Sequence, residues 1–142
     1  MIMEDCLFCK IVSGKVPAAR VHEDAAHLAF LDLYPANKGH TLVIPKKHYA
    51  HFSQIHGQEV GSYIEFVQKI ASAIKKSLKA DGINVFLNEG KAAGQVIFHA
   101  HFHVLPRFEG DGLEFKANRL EYSDEEEKRA FARKISEAIT RD

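Results

Sequence analysis

The sequence predicts an α+β fold, an antiparallel sheet of about five strands with one long helix packed on it and a C-terminal helix. Three observations lead there. Apolar residues recur at helical spacing from Glu59 to Ala80, strict alternation runs from Val96 to Leu105, and several short β-branched or aromatic runs are divided by turn residues. The 142 residues are the length of one domain, and 46% hydrophobic content is enough for a core. With no internal repeat or low-complexity segment, residues 1–142 read as a single domain, its core at about 5–107 and a helical extension at about 108–142.

Residues Arg20 to Leu33 read as one or two strands with a turn near Glu23–Asp24. Pro35–Gly39 is a loop, and His40–Ile44 is a short strand stopped by Pro45, which cannot donate to a central ladder. In the long helix, Val60, Ile64, Val67, Ile70, Ala71, Ile74 and Leu78 make the buried face. Lys75, Lys76 and Lys79 sit near its C-terminal end, where the helix dipole favours positive charge, and Asp81–Gly82 ends it. Ile83–Leu87 is a strand and Asn88–Gly94 a loop. In the tail, Ser123 with Glu126 fits a capping box, ahead of a buried stripe of Ala130, Phe131, Ile135, Ala138 and Ile139.

Lysine plus arginine equals aspartate plus glutamate at 19 each, which argues against duplex nucleic acid as a partner and leaves small nucleotides open. The start, Met1–Ile2–Met3–Glu4–Asp5, has neither the basic nor the apolar region of a secretory leader. No apolar run approaches the ~20 residues of a bilayer span, so no membrane association is expected. The cytoplasm is the expected compartment. There, Cys6–Leu7–Phe8–Cys9 suits a metal half-site or a redox pair better than a structural disulfide, the plainer alternative being two small buried residues.

Chemistry concentrates at His99–Ala100–His101–Phe102–His103. Read as a strand, this run puts Val96, Phe98, Ala100, Phe102 and Val104 against the core and all three imidazoles on the other face. Same-face neighbours would lie about 6.6 Å apart and the outer two about 13 Å, so His99 and His103 cannot share one small ion on a straight strand. Three readings stand: a solvent-facing strand, a metal-binding face with His40 as a further ligand, or acid–base and nucleophilic chemistry near neutral pH. A structural zinc needs four ligands; Cys6 and Cys9 could supply two, and His99 with a histidine of the Lys46–Lys47–His48 segment the others. His101 and His103 would then be left for chemistry. Metal storage would instead require His99, His101 and His103 all to bind ions.

The run His99–Leu105 resembles the signature of the histidine triad superfamily, in which histidines alternate with hydrophobic residues. The lead-in Gly94–Gln95–Val96–Ile97–Phe98, the follow-on Pro106–Arg107 and the segment Gly39–His40–Thr41–Leu42–Val43–Ile44–Pro45–Lys46–Lys47–His48 are similar to that family too. The motifs recur in the family's order from Cys6 to Arg107, and the tail resembles the helical extension of prokaryotic members. The resemblance implies that His101 attacks the α-phosphorus of a purine nucleotide and forms a nucleotidyl-histidine that water cleaves. It gives His103 the phosphate oxygens and leaving group, His40 a supporting place against the triad, and zinc to Cys6, Cys9, His48 and His99, with His51 as rival to His48. That zinc is structural, and no catalytic metal is required.

Asp32 matches the family's ribose-binding position, and Asn88 one near the scissile phosphate. This pair resembles the Hint branch, which cleaves nucleoside phosphoramidates and acyl-nucleotides, more than the Fhit branch, which cleaves dinucleoside polyphosphates. Those polyphosphates, or a regulatory nucleotide-binding role with little turnover, are the alternatives. Val96 stands where the Hint branch commonly has serine beside the leaving group. Gln95 and the backbone around Gly94 are expected to donate to phosphoryl oxygens, and Leu7, Phe8, Phe30 and Leu33 to line the base pocket or else belong to the core. His22, His27, His51 and His56 read as solvated, as do Lys46, Lys47 and Arg107. Members of the family are usually homodimers joined edge to edge, and the same is expected here.

Overall fold

A computed structural model describes residues 3–139; Met1–Ile2, on which the leader expectation partly rests, and residues 140–142 lie outside the described residues. The chain forms two compact units, Met1–Gly112 and Leu113–Asp142. The first thus reaches beyond the expected core limit of about 107.

In the first unit the order is α1 (Leu7–Val12), β1 (Arg20–Glu23), β2 (His27–Leu31), β3 (Thr41–Pro45), α2 (Gly57–Leu78), β4 (Gly82–Leu87) and β5 (Phe102–Arg107). The five strands make one antiparallel sheet in the order β1-β2-β3-β5-β4. The α+β expectation and the strand number hold. Pro45 is the last residue of β3, which its missing N–H permits at a strand end.

Helix α2 covers one face with Tyr63, Phe66, Val67, Ile70 and Ile74, packed with Ala29, Val43 and Val104. Each such side chain contributes about 1.5–3 kcal/mol when fully removed from water. The expected stripe is shifted: Tyr63 and Phe66 are buried, whereas Ile64 and Leu78 are exposed. The helix also ends earlier than predicted, because Lys79 itself takes the left-handed conformation at φ 53°. On the opposite face, Phe8 and Ile11 of α1 pack on Leu28, Phe30, Leu42 and Ile44. Strands β2 and β3 are therefore buried on both sides, and their sequences do not alternate.

The β1–β2 turn is closed by Asp24, whose carboxylate accepts from the His27 main chain at 2.7 Å and faces its Nδ1 at 3.0 Å. His27 is buried against Tyr63 and Phe66 and is not the solvated residue expected. His22 and His56 are exposed, as expected.

The strand predicted from Val96 to Leu105 begins only at Phe102. Upstream, the chain bonds to a loop instead of a ladder: Ala100 N–H donates to Tyr49 O at 2.6 Å. Val96 is exposed, and His99, Ala100 and His101 are all buried, so the histidines do not share one open face.

The second unit holds α3 (Glu125–Ile139). Its cap is Asp124, which accepts from Glu127 N–H at 2.8 Å while Glu127 accepts from Ser123 N–H at 2.9 Å, one residue later than the predicted box. The predicted stripe is on the helix, but Phe131, Ile135 and Ile139 are exposed and α3 buries no residue. Among the described residues no helix is long and apolar enough to cross a membrane.

Candidate functional site

Two side-chain clusters lie on the triad. The first gathers Cys6, Cys9, His48 and His99, whose ligand atoms all lie within 4.8 Å of one another. Cys6 is the N-cap of α1, its Sγ accepting from Cys9 N–H at 3.4 Å, so one helical turn brings both sulfurs to one side. His99 Nδ1 is 3.4 Å from Cys6 Sγ and 3.6 Å from Cys9 Sγ, and His48 Nδ1 is 3.4 Å from Cys9 Sγ. Tetrahedral zinc, with Zn–S of about 2.3 Å and Zn–N of about 2.0 Å, sets such ligands about 3.5 Å apart.

His99 Nε2 donates to the Pro45 carbonyl at 2.7 Å, which leaves Nδ1 as the lone pair facing the sulfurs. Burial pushes the His99 pKa down to about 4, so the ring is neutral, as a metal ligand must be. Burial, and Cys6 beside it, raise the Cys9 pKa; a cation at the cluster is what would let that thiol ionise. Donor set and geometry fit zinc. His51, the expected rival, is outside the cluster and rests edge-on against Phe98.

The second cluster holds His40, His101, His103 and Asp32. His101 Nδ1 faces the His99 main-chain carbonyl at 2.8 Å. A carbonyl only accepts, so Nδ1 carries the proton and Nε2 keeps a lone pair. His40 Nδ1 accepts from Ala36 N–H at 3.1 Å, which puts the His40 proton on Nε2. That Nε2–H donates to His103 Nδ1 at 2.9 Å, leaving His103 with a proton on Nε2. One backbone amide thus fixes the tautomers of two imidazoles. Burial lowers the pKa of His40 and of His101 and, with the neighbouring His101 and His40, pushes His103 down to about 4. All three rings are neutral at pH 7.

Asp32 Oδ2 lies 3.8 Å from His40 Nδ1, and Asp32 Oδ1 accepts from Tyr34 N–H at 3.0 Å. Gly39, which delivers His40 to β3, has φ +99°, and a Cβ there would clash with Leu78. Phe86, across from His103 in the β4–β5 register, stacks on its ring at 4.6 Å. Phe8 meets the His101 ring edge-on at 5.1 Å and Phe30 at 5.4 Å. Sequence reasoning missed Ala36, Pro45 and Phe86; the first two act through main-chain groups, which no side-chain pattern reveals.

Other predicted residues stand differently. Leu33 is 80% exposed and Leu7 is exposed, whereas Phe8 and Phe30 are core. Asn88 lies beside Gly94, its Nδ2 3.6 Å from where a Gly94 Cβ would be. The donor role expected of the Gln95 side chain is not what the structure displays, because both its amide N–H groups go to main-chain carbonyls, of Ala50 at 2.8 Å and Ile97 at 3.1 Å. Arg107 is not merely solvated: its guanidinium clamps Asp111 at 2.8 and 2.9 Å and reaches Asn84 at 2.8 Å. Lys46 pairs with Glu23 at 2.8 Å and Lys47 with Glu59 at 3.7 Å.

Comparison with known proteins gives a consistent result. The sequence model of the HIT domain matches residues 13–110. An uncharacterized HIT-like protein of Methanocaldococcus jannaschii is 48% identical over 122 residues, 86% of this chain and 94% of that one. The adenylylsulfatase HINT3 of Arabidopsis thaliana is 42% identical over 112 residues, covering 79% of this chain and 57% of its own. The crystal structure of SMU.412c from Streptococcus mutans superposes with a TM-score of 0.91 at 42% identity, covering 96% of this chain and 87% of that one. A zinc-bound histidine triad family protein from Mycobacterium smegmatis does so with a TM-score of 0.74 at 40% identity, covering 97% and 98%.

Proposed function

The chain belongs to the HIT domain family, and from that premise we propose that it is a nucleotide hydrolase or transferase acting on a purine nucleotide conjugate through His101. The observation that carries this reading is the hydrogen bond from His101 Nδ1–H to the His99 carbonyl. It keeps the proton on Nδ1, leaves Nε2 as a neutral nucleophile, and braces the positive charge that the ring acquires on attack. His101 Nε2 forms a bond to the α-phosphorus as the bond to the leaving group breaks. The leaving group takes the proton of His103 Nε2. Water then attacks the phosphorus of the nucleotidyl-histidine, its proton passing back to His103 Nε2, and the P–N bond breaks to free the nucleoside monophosphate and the neutral His101 ring. Asp32 accepts from the ribose hydroxyls, and Asn88 with the Gly94 backbone faces the phosphate.

The preferred substrates are nucleoside phosphoramidates and acyl-nucleotides, read from the Asp32 and Asn88 pair. The relative named as an adenylylsulfatase supports this, since adenylyl sulfate too carries a leaving group on an α-phosphate. Zinc held by Cys6, Cys9, His48 and His99 would stabilise the fold, having no open position for substrate; the zinc-bound relative supports that ion. A homodimer joined at a sheet edge belongs to the same reading, for which β4 ends the sheet on one side. So does a cytoplasmic setting, where both free cysteines stay reduced.

The test is turnover of adenosine 5′-phosphoramidate, diadenosine triphosphate and diadenosine tetraphosphate by wild type and His101→Ala. The expected result is rapid cleavage of the phosphoramidate by the wild type alone. Should the wild type be no faster than the variant on all three, the enzyme reading is lost and a nucleotide-binding role remains.

A further inference from the structure

We propose that Gln95 is a positioning residue for this reaction, locking the Gly90–Gly94 loop to the triad's lead-in, and that its side chain does not touch the substrate. The proposal rests on the His101 reading above. Gln95 is 4% exposed. Its Oε1 accepts from Gly90 N–H at 2.8 Å, and its Nε2 donates to Ala50 O at 2.8 Å and Ile97 O at 3.1 Å. A primary amide has two N–H groups, and both are engaged; what is left on Oε1 is a lone pair, which a phosphate oxygen cannot use.

The main chain repeats the lock, with Gln95 N–H donating to Gly90 O at 3.1 Å. Gly90 is thus held at its N–H and its carbonyl by the same residue. Between them lies a 3-10 turn, Lys91–Ala93, flanked by Gly90 at φ 89° and Gly94 at φ 96°. Both glycines take the positive-φ backbone that a Cβ would disfavour, which lets the turn close on itself. The loop carries Gly94 against Asn88, while the Ala50 and Ile97 carbonyls belong to the segments that lead from His48 and into His99. One buried amide therefore ties the Gly90–Gly94 loop to the irregular segment that leads into His99 and His101.

The experiment combines kinetics with amide NMR on the zinc-loaded protein, using Gln95→Met, which keeps the length without the amide, and Gln95→Glu, which keeps the acceptor and loses both donors. Both variants are expected to lose roughly 10- to 100-fold in kcat on adenosine 5′-phosphoramidate, with AMP affinity changed less than about threefold. Gly90 N–H exchange should rise at least about tenfold in Gln95→Met, whose sulfur is a poor acceptor. In the wild type, the Gln95 side-chain amide protons should stay protected and unshifted when AMP is added. Large AMP-dependent shifts of those protons, or parallel losses of AMP affinity and kcat with Gly90 protection intact, would show direct contact and overturn the proposal. Unchanged kcat in a variant whose Gly90 is unprotected overturns it as well. If the wild type has no His101-dependent turnover, it is the enzyme reading that fails, and the Gly90 and Gln95 signals still decide the lock.

Discussion

At the α1 end of the triad, His99 turns Nδ1 towards two sulfurs and donates from Nε2 to Pro45 O; His101 does the reverse, donating from Nδ1 to His99 O and keeping Nε2 as a lone pair. The two rings are both buried and both held neutral by burial. Neither ring's acidity separates the roles. What separates them is which nitrogen a backbone carbonyl claims, and so which nitrogen is left to face a metal or a phosphorus. In the function proposed above, the first site holds zinc and the second reacts.

The strongest way to break this division is to exchange the losses. His101→Ala should lower turnover on the order of 10⁴-fold while zinc stays at one per chain and the melting temperature is little changed. Cys9→Ala should do the opposite in kind, losing zinc and about 3 kcal/mol or more of stability. Metal analysis beside thermal unfolding checks both. Zinc retained after Cys9→Ala, or lost after His101→Ala, means that the clusters are not separate sites.

The division was half legible in the sequence. Cys6, Cys9 and the histidine run raised the metal and nucleophile readings through their side-chain types, and the family resemblance, not the spacing, named His48 and His40. The backbone partners were not legible, and the alternation from Val96 to Leu105 misled. The chain bends at residues 97–99 and buries His99, Ala100 and His101 in succession; alternation in the sequence does not record a bend, so period two could not tell β5 from the irregular chain before it. Cys-x-x-Cys likewise signalled a metal and hid the short helix that Cys6 caps. At the other end, the apolar spacing of α3 predicted the helix correctly and its burial wrongly. Periodicity reports amphipathicity, and what covers the apolar side is a separate matter.

Within the reactive site, the tautomer relay from Ala36 through His40 to His103 can be cut at its middle. His40→Ala frees His103 to place its proton on either nitrogen. Turnover of the phosphoramidate should fall roughly 10- to 100-fold, because its amine leaving group needs the donated proton. Adenylyl sulfate, whose leaving group needs none, should lose much less. Equal losses on the two substrates would remove His103 from proton donation and leave His40 a packing residue.

The smallest effect is expected in the pH dependence of stability, where the reactive cluster can be read without substrate. Burial, with His101 and His40 beside it, holds the His103 pKa at about 4 in the folded chain, against about 6.5 when unfolded. Above pH 6.5 neither state binds the proton, and His103 costs nothing. As the pH falls from about 6.5 to about 4 the unfolded chain is protonated first, so the folded state loses stability on the order of 2 kcal/mol from this residue. His103→Phe, which can keep the stack on Phe86, should remove that slope. The measurement is the difference in urea unfolding free energy between wild type and variant from pH 7 to pH 4, in which the titrations of His48 and His99, common to both proteins, cancel. A difference that stays level across the window would mean that His103 is already protonated in the folded chain, and a protonated ring could not accept from His40 at Nδ1.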